Sequence, residues 1–183
     1  MPHDRQILES ALLAVRWQRG DHSSFEEIVK LWEQSLYYYL RRLVSSDADA
    51  WELLQETWLK LFRSLATLRD PHALPAFLYT TARHTAISRL RRDLKEETYE
   101  EEVHHESAPN EIAVLEDAEQ VHHALDQLPL HQREALTLYF LQDLSLEEMS
   151  KLLDVPLGTV KSRLHYAKIA IRKILSSGDQ HAR

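Results

Sequence analysis

From residue 5 to residue 65 apolar side chains recur every three or four positions, the period that places them on one side of an α-helix. Ile7, Leu8, Ala11, Leu12 and Val15 predict a first helix over 5–19, and Gly20-Asp21 supplies its stop. A second helix is expected from Ser23 or Ser24, with Phe25, Ile28, Val29, Trp32, Leu36, Tyr39, Leu40 and Leu43 as its buried stripe through about Val44. Asp47 is the expected N-cap of a third, carrying Trp51, Leu54, Trp58, Leu61, Phe62 and Leu65. Turn formers then crowd the stretch from Leu68 to Pro75, and Pro75 suits the first turn of a fourth helix reaching about Arg92.

After Leu94 the periodicity fades into KEETYEEEVHHESAPNE, too charged and too poor in apolar residues to fold alone. Periodicity resumes at Ile112 with Leu115, Ala118, Val121, Ala124, Leu125 and Leu128, and breaks at Pro129. Three further helices are predicted at about 130–141, 145–153 and 157–175, the last two separated by Leu153-Asp-Val-Pro-Leu157. The expected fold is all-α: a module over 1–94, an acidic flexible linker over 95–111, a second module with a helix-turn-helix over 112–176, and a tail over 177–183.

Only 3 Gly and 6 Pro interrupt the 183 residues, which supports the helical reading. The formal charge of −7 argues against a polyanionic ligand until it is divided by segment. Residues 95–119 hold ten acidic side chains against Lys95 alone, a local −9 that leaves +2 for everything else, so basic surfaces can exist on either side. The absence of cysteine excludes disulfides, thiolate metal sites and cysteine redox sensing by this chain. No apolar run approaches the roughly 20 residues that span a bilayer, and MPHDRQILES lacks the order of a signal peptide. A cytoplasmic protein without membrane insertion is expected.

Two segments carry candidate chemistry. In SLEEMSKLLDVPLGTVKSRLHYAK, Ser145 and Glu148 have capping-box spacing, Leu146, Met149 and Leu153 form a buried face, and Asp154 tolerates a left-handed turn. Gly158 and Thr159 open the next helix with small groups that let a phosphate approach. Val160, Leu164, Ala167 and Ile171 face inward, leaving Lys161, Ser162, Arg163, His165 and Lys168 to reach a major groove. Leu157 to Leu175 holds five basic residues and no acidic one. In FLYTTARHTAISRLRRDLK, Phe77 and Tyr79 share an element with Arg83, His84, Arg89, Arg91 and Arg92, a pairing of stacking and phosphate-binding groups that suits unpaired bases. The helix DADAWELLQETWLKLF has more apolar residues than one stripe needs, as a protein-docking surface would.

The segment from Leu128 to Leu175 resembles region four of the sigma-70 superfamily, and the two upstream segments resemble its region two. The order, the length and the missing third region resemble the extracytoplasmic-function group. That resemblance implies a transcription initiation factor, often a stress-response one, whose partners are core RNA polymerase, promoter DNA and an anti-sigma factor. It implies that Leu54, Gln55, Glu56 and Trp58 bind core polymerase. It assigns Arg69, Phe77, Tyr79, Arg83, His84, Ser88, Arg91 and Arg92 to the minus-ten element, and Arg133, Thr159, Lys161, Ser162, Arg163, His165 and Lys168 to the minus-thirty-five element. The sequence departs from the family at His84, often Asn, at Ser88, often Asp, and at Tyr166, often Arg. The linker resembles a segment that threads polymerase channels, and the −9 charge of residues 95–119 around it gives a physical reason, since a polyanion can stand in for RNA there.

No phosphate-binding Gly loop, HExxH or nucleophile motif is present, so neither an enzyme nor a cofactor is expected. The pairs His104-His105 and His122-His123 raise metal sensing, but adjacent histidines on a helix diverge, and no metal is expected. The main alternative is a stand-alone helix-turn-helix regulator. It accounts for residues 130–175 but not for the aromatic and basic helix at 77–92 or the partner-like surface at 47–62. A decoy that binds an anti-sigma factor without DNA would not need the basic helix.

Overall fold

A computed structural model describes residues 2–97 and 116–178, every element of which is helical. The chain divides into two compact units, Met1–His104 and His105–Arg183. Most of the expected linker (98–111), the expected start of the second module (112–115) and the tail from 179 lie outside the described residues.

The first unit holds α1 (Pro2–Gln18), α2 (Ser23–Arg41), α3 (Asp47–Ser64) and α4 (Leu74–Glu97), with 3-10 turns at Leu65–Thr67 and Pro71–Ala73. The turn after α1 is where Gly20-Asp21 predicts it. Gly20 takes a positive φ of 92°, and the Asp21 carboxylate accepts from the Ser23 amide (3.2 Å) and hydroxyl (2.6 Å) while pairing with Arg16 (2.7 Å). The Ser23 hydrogen bond first, and then Arg16, hold that carboxyl below the usual aspartate range.

The inward face of α1 is the expected one only at Ala11. Leu8 and Leu12 are 57% and 67% exposed, whereas Ser10, Ala11, Leu13, Ala14 and Trp17 are buried. Small residues let α2 come close: the Trp32 indole N–H donates to the Ser10 hydroxyl at 2.9 Å, and Ser10 donates to the Gln6 carbonyl at 2.6 Å. In α2 the expected Ile28, Trp32, Leu36, Tyr39 and Leu40 are all buried, though the helix ends at Arg41, short of Val44. The N-cap of α3 is Ser46, not Asp47. The Ser46 hydroxyl accepts from the Asp49 amide (3.0 Å), and Asp47, the first helical residue, pairs with Arg41 (3.1 Å). The buried residues of α3 are Ala50, Leu53, Leu54, Thr57 and Leu61, so Trp51 and Phe62 face outward.

Asp70 caps the turn before α4 by accepting from the His72 amide (3.0 Å), and Pro75 lies in the first turn of α4 as expected. This helix continues past Arg92 to Glu97, taking in three residues assigned to the linker. Its Leu74, Leu78, Tyr79, Ala82 and Ala86 enter the core, where the Tyr79 ring meets Trp32 (6.0 Å) and Tyr39 (5.4 Å) edge to face.

The second unit holds α5 (Glu116–Asp126), α6 (Leu130–Leu136), a π-helical turn (Thr137–Leu141), α7 (Leu146–Leu153) and α8 (Leu157–Gly178). The single helix expected at 130–141 therefore changes pitch at Thr137 and ends in a left-handed Asp143 (φ 53°). The capping box is present: the Ser145 hydroxyl accepts from the Glu148 amide (3.2 Å) and the Glu148 carboxylate accepts from the Ser145 amide (2.8 Å). Asp154 adopts the left-handed conformation (φ 54°) and ends α7, and the Val155 amide closes back on the Ser150 carbonyl at 3.2 Å. Met149, Leu152 and Leu153 of α7 are buried, as are Val160, Leu164 and Ala167 of α8. Leu146 and Ile171, expected to join them, are half-buried.

Removing the box should loosen α7 and with it the seat of α8. Ser145→Ala is expected to cost about 1 kcal/mol in denaturant unfolding, and Glu148→Ala added to it is expected to cost less than its own separate effect. Additive losses would mean that the two side chains act independently.

Candidate functional site

The outward face of α8 is defined by what its core face leaves over. Lys161, Ser162, His165, Tyr166 and Ile169, at i, i+1, i+4, i+5 and i+8, share one side of the helix, and all are exposed. Lys161, Ser162 and His165 thus stand where the sequence places them, and Arg163 is half-buried on the flank. Thr159, also half-buried, accepts a hydrogen bond from the Ser162 hydroxyl at its carbonyl (3.0 Å). A Cβ built on Gly158 would meet nothing within 4 Å, so nothing inside the protein requires glycine at the start of α8.

Two of the expected contacts are turned elsewhere. The Lys168 ammonium lies over the rings of Tyr139 (5.3 Å) and Phe140 (5.1 Å), on the rim of a groove of about 600 Å³ lined by Val121, Leu125, Leu136, Ile171 and Leu175. The Arg133 guanidinium, its side chain mostly buried, reaches the Leu128 carbonyl (3.4 Å) and the Asp126 carboxylate (3.5 Å), bracing the turn between α5 and α6. Its geometry is that of an internal brace and not of an arm extended to a ligand.

In the first unit, α4 gathers five of the expected minus-ten residues. Phe77, His84, Ser88, Arg91 and Arg92 follow i, i+7, i+11, i+14 and i+15, which is one helix face, with the half-buried aromatic ring at one end and two exposed guanidinium groups at the other. Arg69 is exposed in the preceding turn and Arg83 is half-buried. Tyr79 does not join them. It is buried among Trp32 and Tyr39, and burial pushes its phenol well above the ordinary tyrosine range, so it cannot stack on a base without unpacking the core. Arg89 is also committed inside the unit, to Glu52 (3.1 Å), Asp93 (3.2 Å) and Asp49 (3.9 Å), and ties α4 to α3.

On α3 the expected docking residues divide. Leu54 is 1% exposed and belongs to the core, so it supports the surface from beneath. Gln55 is exposed, Glu56 pairs with Lys60 (2.8 Å), and Trp58 is half-buried against Phe25 (6.1 Å). The outward stripe that sequence reasoning missed is Trp51, Gln55, Leu59 and Phe62, at i, i+4, i+8 and i+11, three of the four large and apolar. Trp51 stacks on Tyr37 at 4.5 Å, and burial first, then a hydrogen bond to Asp47, pushes the Tyr37 phenol up to about 12. The signal was the surplus of apolar residues in DADAWELLQETWLKLF, which by itself did not say which of them face out.

Among the described residues no group of three or more His, Cys, Asp or Glu could hold a metal ion, and no helix is long and apolar enough to cross a membrane.

The model of Sigma-70 region 2 matches residues 28–96, and that of Sigma-70, region 4 matches residues 118–171. The RNA polymerase sigma-H factor of Pseudomonas aeruginosa is 30% identical over 186 residues, covering 94% of this chain and 93% of its own. The chain belongs to the extracytoplasmic-function group of the sigma-70 family. The ECF RNA polymerase sigma-E factor of Escherichia coli K12 is likewise 30% identical, over 90% of this chain and 93% of its own. The sigma factor RpoE from Bartonella quintana, solved in complex with the anti-sigma factor NepR, superposes with a TM-score of 0.74 at 26% identity, over 83% of this chain and 96% of that one. CnrH, solved with the cytosolic domain of CnrY, shares the fold at a TM-score of 0.69 and 18% identity, over 92% and 98%. As a member of this family the chain is a sigma factor that directs RNA polymerase to promoters. The region 4 match covers most of α8 and the region 2 match covers α3 and nearly all of α4, so the three surfaces described above all lie within matched regions.

Because Leu54 is core and Gln55 is surface, Leu54→Ala should cost about 2–5 kcal/mol of unfolding free energy, whereas Gln55→Ala should stay within about 0.5 kcal/mol. Thermal unfolding of the two variants checks this. A Leu54 variant as stable as the parent would place that side chain on the surface.

Proposed function

We propose a division of labour among the three surfaces of this sigma factor. The outer face of α8, through Lys161, Ser162, Arg163 and His165 with the small start at Gly158 and Thr159, reads the minus-thirty-five duplex. The exposed face of α4, with Phe77, His84, Ser88, Arg91 and Arg92, and Arg69 before it, holds the melted minus-ten strand. The outward stripe of α3, Trp51, Gln55, Leu59 and Phe62 with Trp58 beside it, docks on core polymerase. The single observation that carries the reading is α8 itself: a helix with no acidic residue from Leu157 to Leu175, seated on a capped turn, with Lys161, Ser162 and His165 outward.

The other assignments follow from chemistry and kinship. Aromatic and guanidinium groups on one face suit unpaired bases, and a stand-alone regulator of duplex DNA would need neither that face nor an apolar outer stripe on α3. The protein acts by binding and not by catalysis, in the cytoplasm where polymerase works. An anti-sigma factor is a further partner, supported by the RpoE relative solved in such a complex. The acidic linker over 95–111 suits a path through polymerase channels that otherwise hold nucleic acid.

The test is transcription reconstituted with the organism's core polymerase on a library of promoter fragments, with start sites read by sequencing. New start sites preceded by two shared elements are expected. Lys161→Glu or Arg163→Glu should abolish them while leaving core binding intact, and Trp51→Ala with Leu59→Ala should weaken core binding. Lys161→Gln should lower the slope of log affinity on log salt by about one, the mark of one lost phosphate contact. Failure to bind core polymerase would overturn the reading in favour of a stand-alone DNA-binding regulator.

A further inference from the structure

The outer face of α8 carries more than cations. Tyr166 is 60% exposed and Ile169 is 52% exposed, three residues apart on the side that also bears Lys161, Ser162 and His165. The Tyr166 ring stands edge to face with His165 at 5.4 Å. Ser162, one turn before Tyr166, turns its small hydroxyl back to the Thr159 carbonyl at 3.0 Å. The apolar groove of this unit does not involve either residue, since its α8 lining is Lys168, Ile171, Arg172, Leu175 and Ser176. Tyr166 and Ile169 therefore form a separate apolar spot on a helix that from Leu157 to Leu175 carries five basic residues and no acidic one.

That combination identifies its ligand by exclusion. The cations draw the face to phosphates, and the helix enters the major groove by its N-terminal half. On the base edges of that groove the 5-methyl of thymine is the one alkyl group, standing among hydrogen-bond donors, acceptors and small ring C–H groups. Resting on the assignment of α8 to the minus-thirty-five duplex, we propose that Tyr166, backed by Ile169, is a specificity-determining residue that packs its ring against a thymine methyl in that element. Lys161 and Arg163 supply affinity, and Tyr166 supplies a preference for thymine at one step.

Replacing thymine by uracil removes that methyl and nothing else from the major-groove edge. With the holoenzyme on its mapped promoter, uracil placed at each thymine of the minus-thirty-five element in turn should weaken binding about fourfold at one or two positions, the effect of leaving one methyl group in water. Tyr166→Ala should bind the thymine promoter as the parent binds the uracil one and be indifferent to further substitution. Tyr166→Phe, which keeps the ring, should keep the discrimination. The proposal is overturned if no position responds to uracil, if Tyr166→Ala still discriminates, or if Tyr166→Phe behaves as Tyr166→Ala, which would make the phenol hydroxyl the reading group. A Lys161→Glu holoenzyme with unaltered promoter binding would overturn the assignment of α8 itself.

Discussion

Without a cysteine to staple them, both units rest on how tightly one stripe of each helix closes against its neighbours, and every recognition surface is what that closure leaves outside. The first unit shows the constraint most sharply. Trp32, Tyr39 and Tyr79 meet edge to face at its centre, joining α2 to α4, and Ser10 and Ala14 allow α1 to lie close enough for Trp32 to find a hydrogen-bond partner. Once Tyr79 is fixed inward, the helix rotation of α4 is fixed, and Phe77, His84, Ser88, Arg91 and Arg92 must share the other side. Leu54 does the same for α3: its burial turns Trp51, Gln55, Leu59 and Phe62 outward.

Charge follows the same division. A count of basic residues overstates what a ligand can meet, because several cations are committed within their own unit. Arg89 faces three carboxylates, Arg133 braces a turn, and Lys168 lies over two rings. Those engagements fix helices against one another, and the groups that stay outward, such as Lys161 and Arg91, form smaller and better-defined patches than composition suggests. The chain's net acidity does not oppose the α8 face, since ten of its carboxylates fall between Lys95 and Glu119, nearly forty residues before Leu157 in sequence, and exposed charges beyond about 10 Å are screened.

Much of the fold could be read from local signals with a mechanism. Gly20-Asp21, Pro75, the Ser145–Glu148 box and Asp154 each act within a few residues, so these helix boundaries were accessible, whereas the ends of α2 and α4 and the cap of α3 were displaced by one to five residues. Rotation about the helix axis was not. In α1 the apolar Leu8 and Leu12 competed with the small Ser10, Ala11 and Ala14 for the inward side, and the small residues prevail because α2 packs closer to them. Hydrophobicity ranks leucine first, while packing ranks fit first. The same ambiguity moved Tyr79 and Leu54 into the candidate site and left Trp51, Leu59 and Phe62 out of it. The π turn at Thr137–Leu141 has no sequence signal that distinguishes it from the end of α6.

Two separate recognition faces on one chain have an energetic consequence that neither has alone. A single helix offering a few phosphate contacts and one apolar contact binds duplex DNA weakly at physiological salt. When polymerase holds one region of the chain, binding of the other region's element becomes an intramolecular event, and modest affinities multiply. Selectivity then comes from small differences at each face and not from a large affinity at either. Under that arrangement a side chain worth only a few-fold, such as an aromatic ring on the outer face of α8, is enough to separate one promoter from another, because the competing sites share everything else.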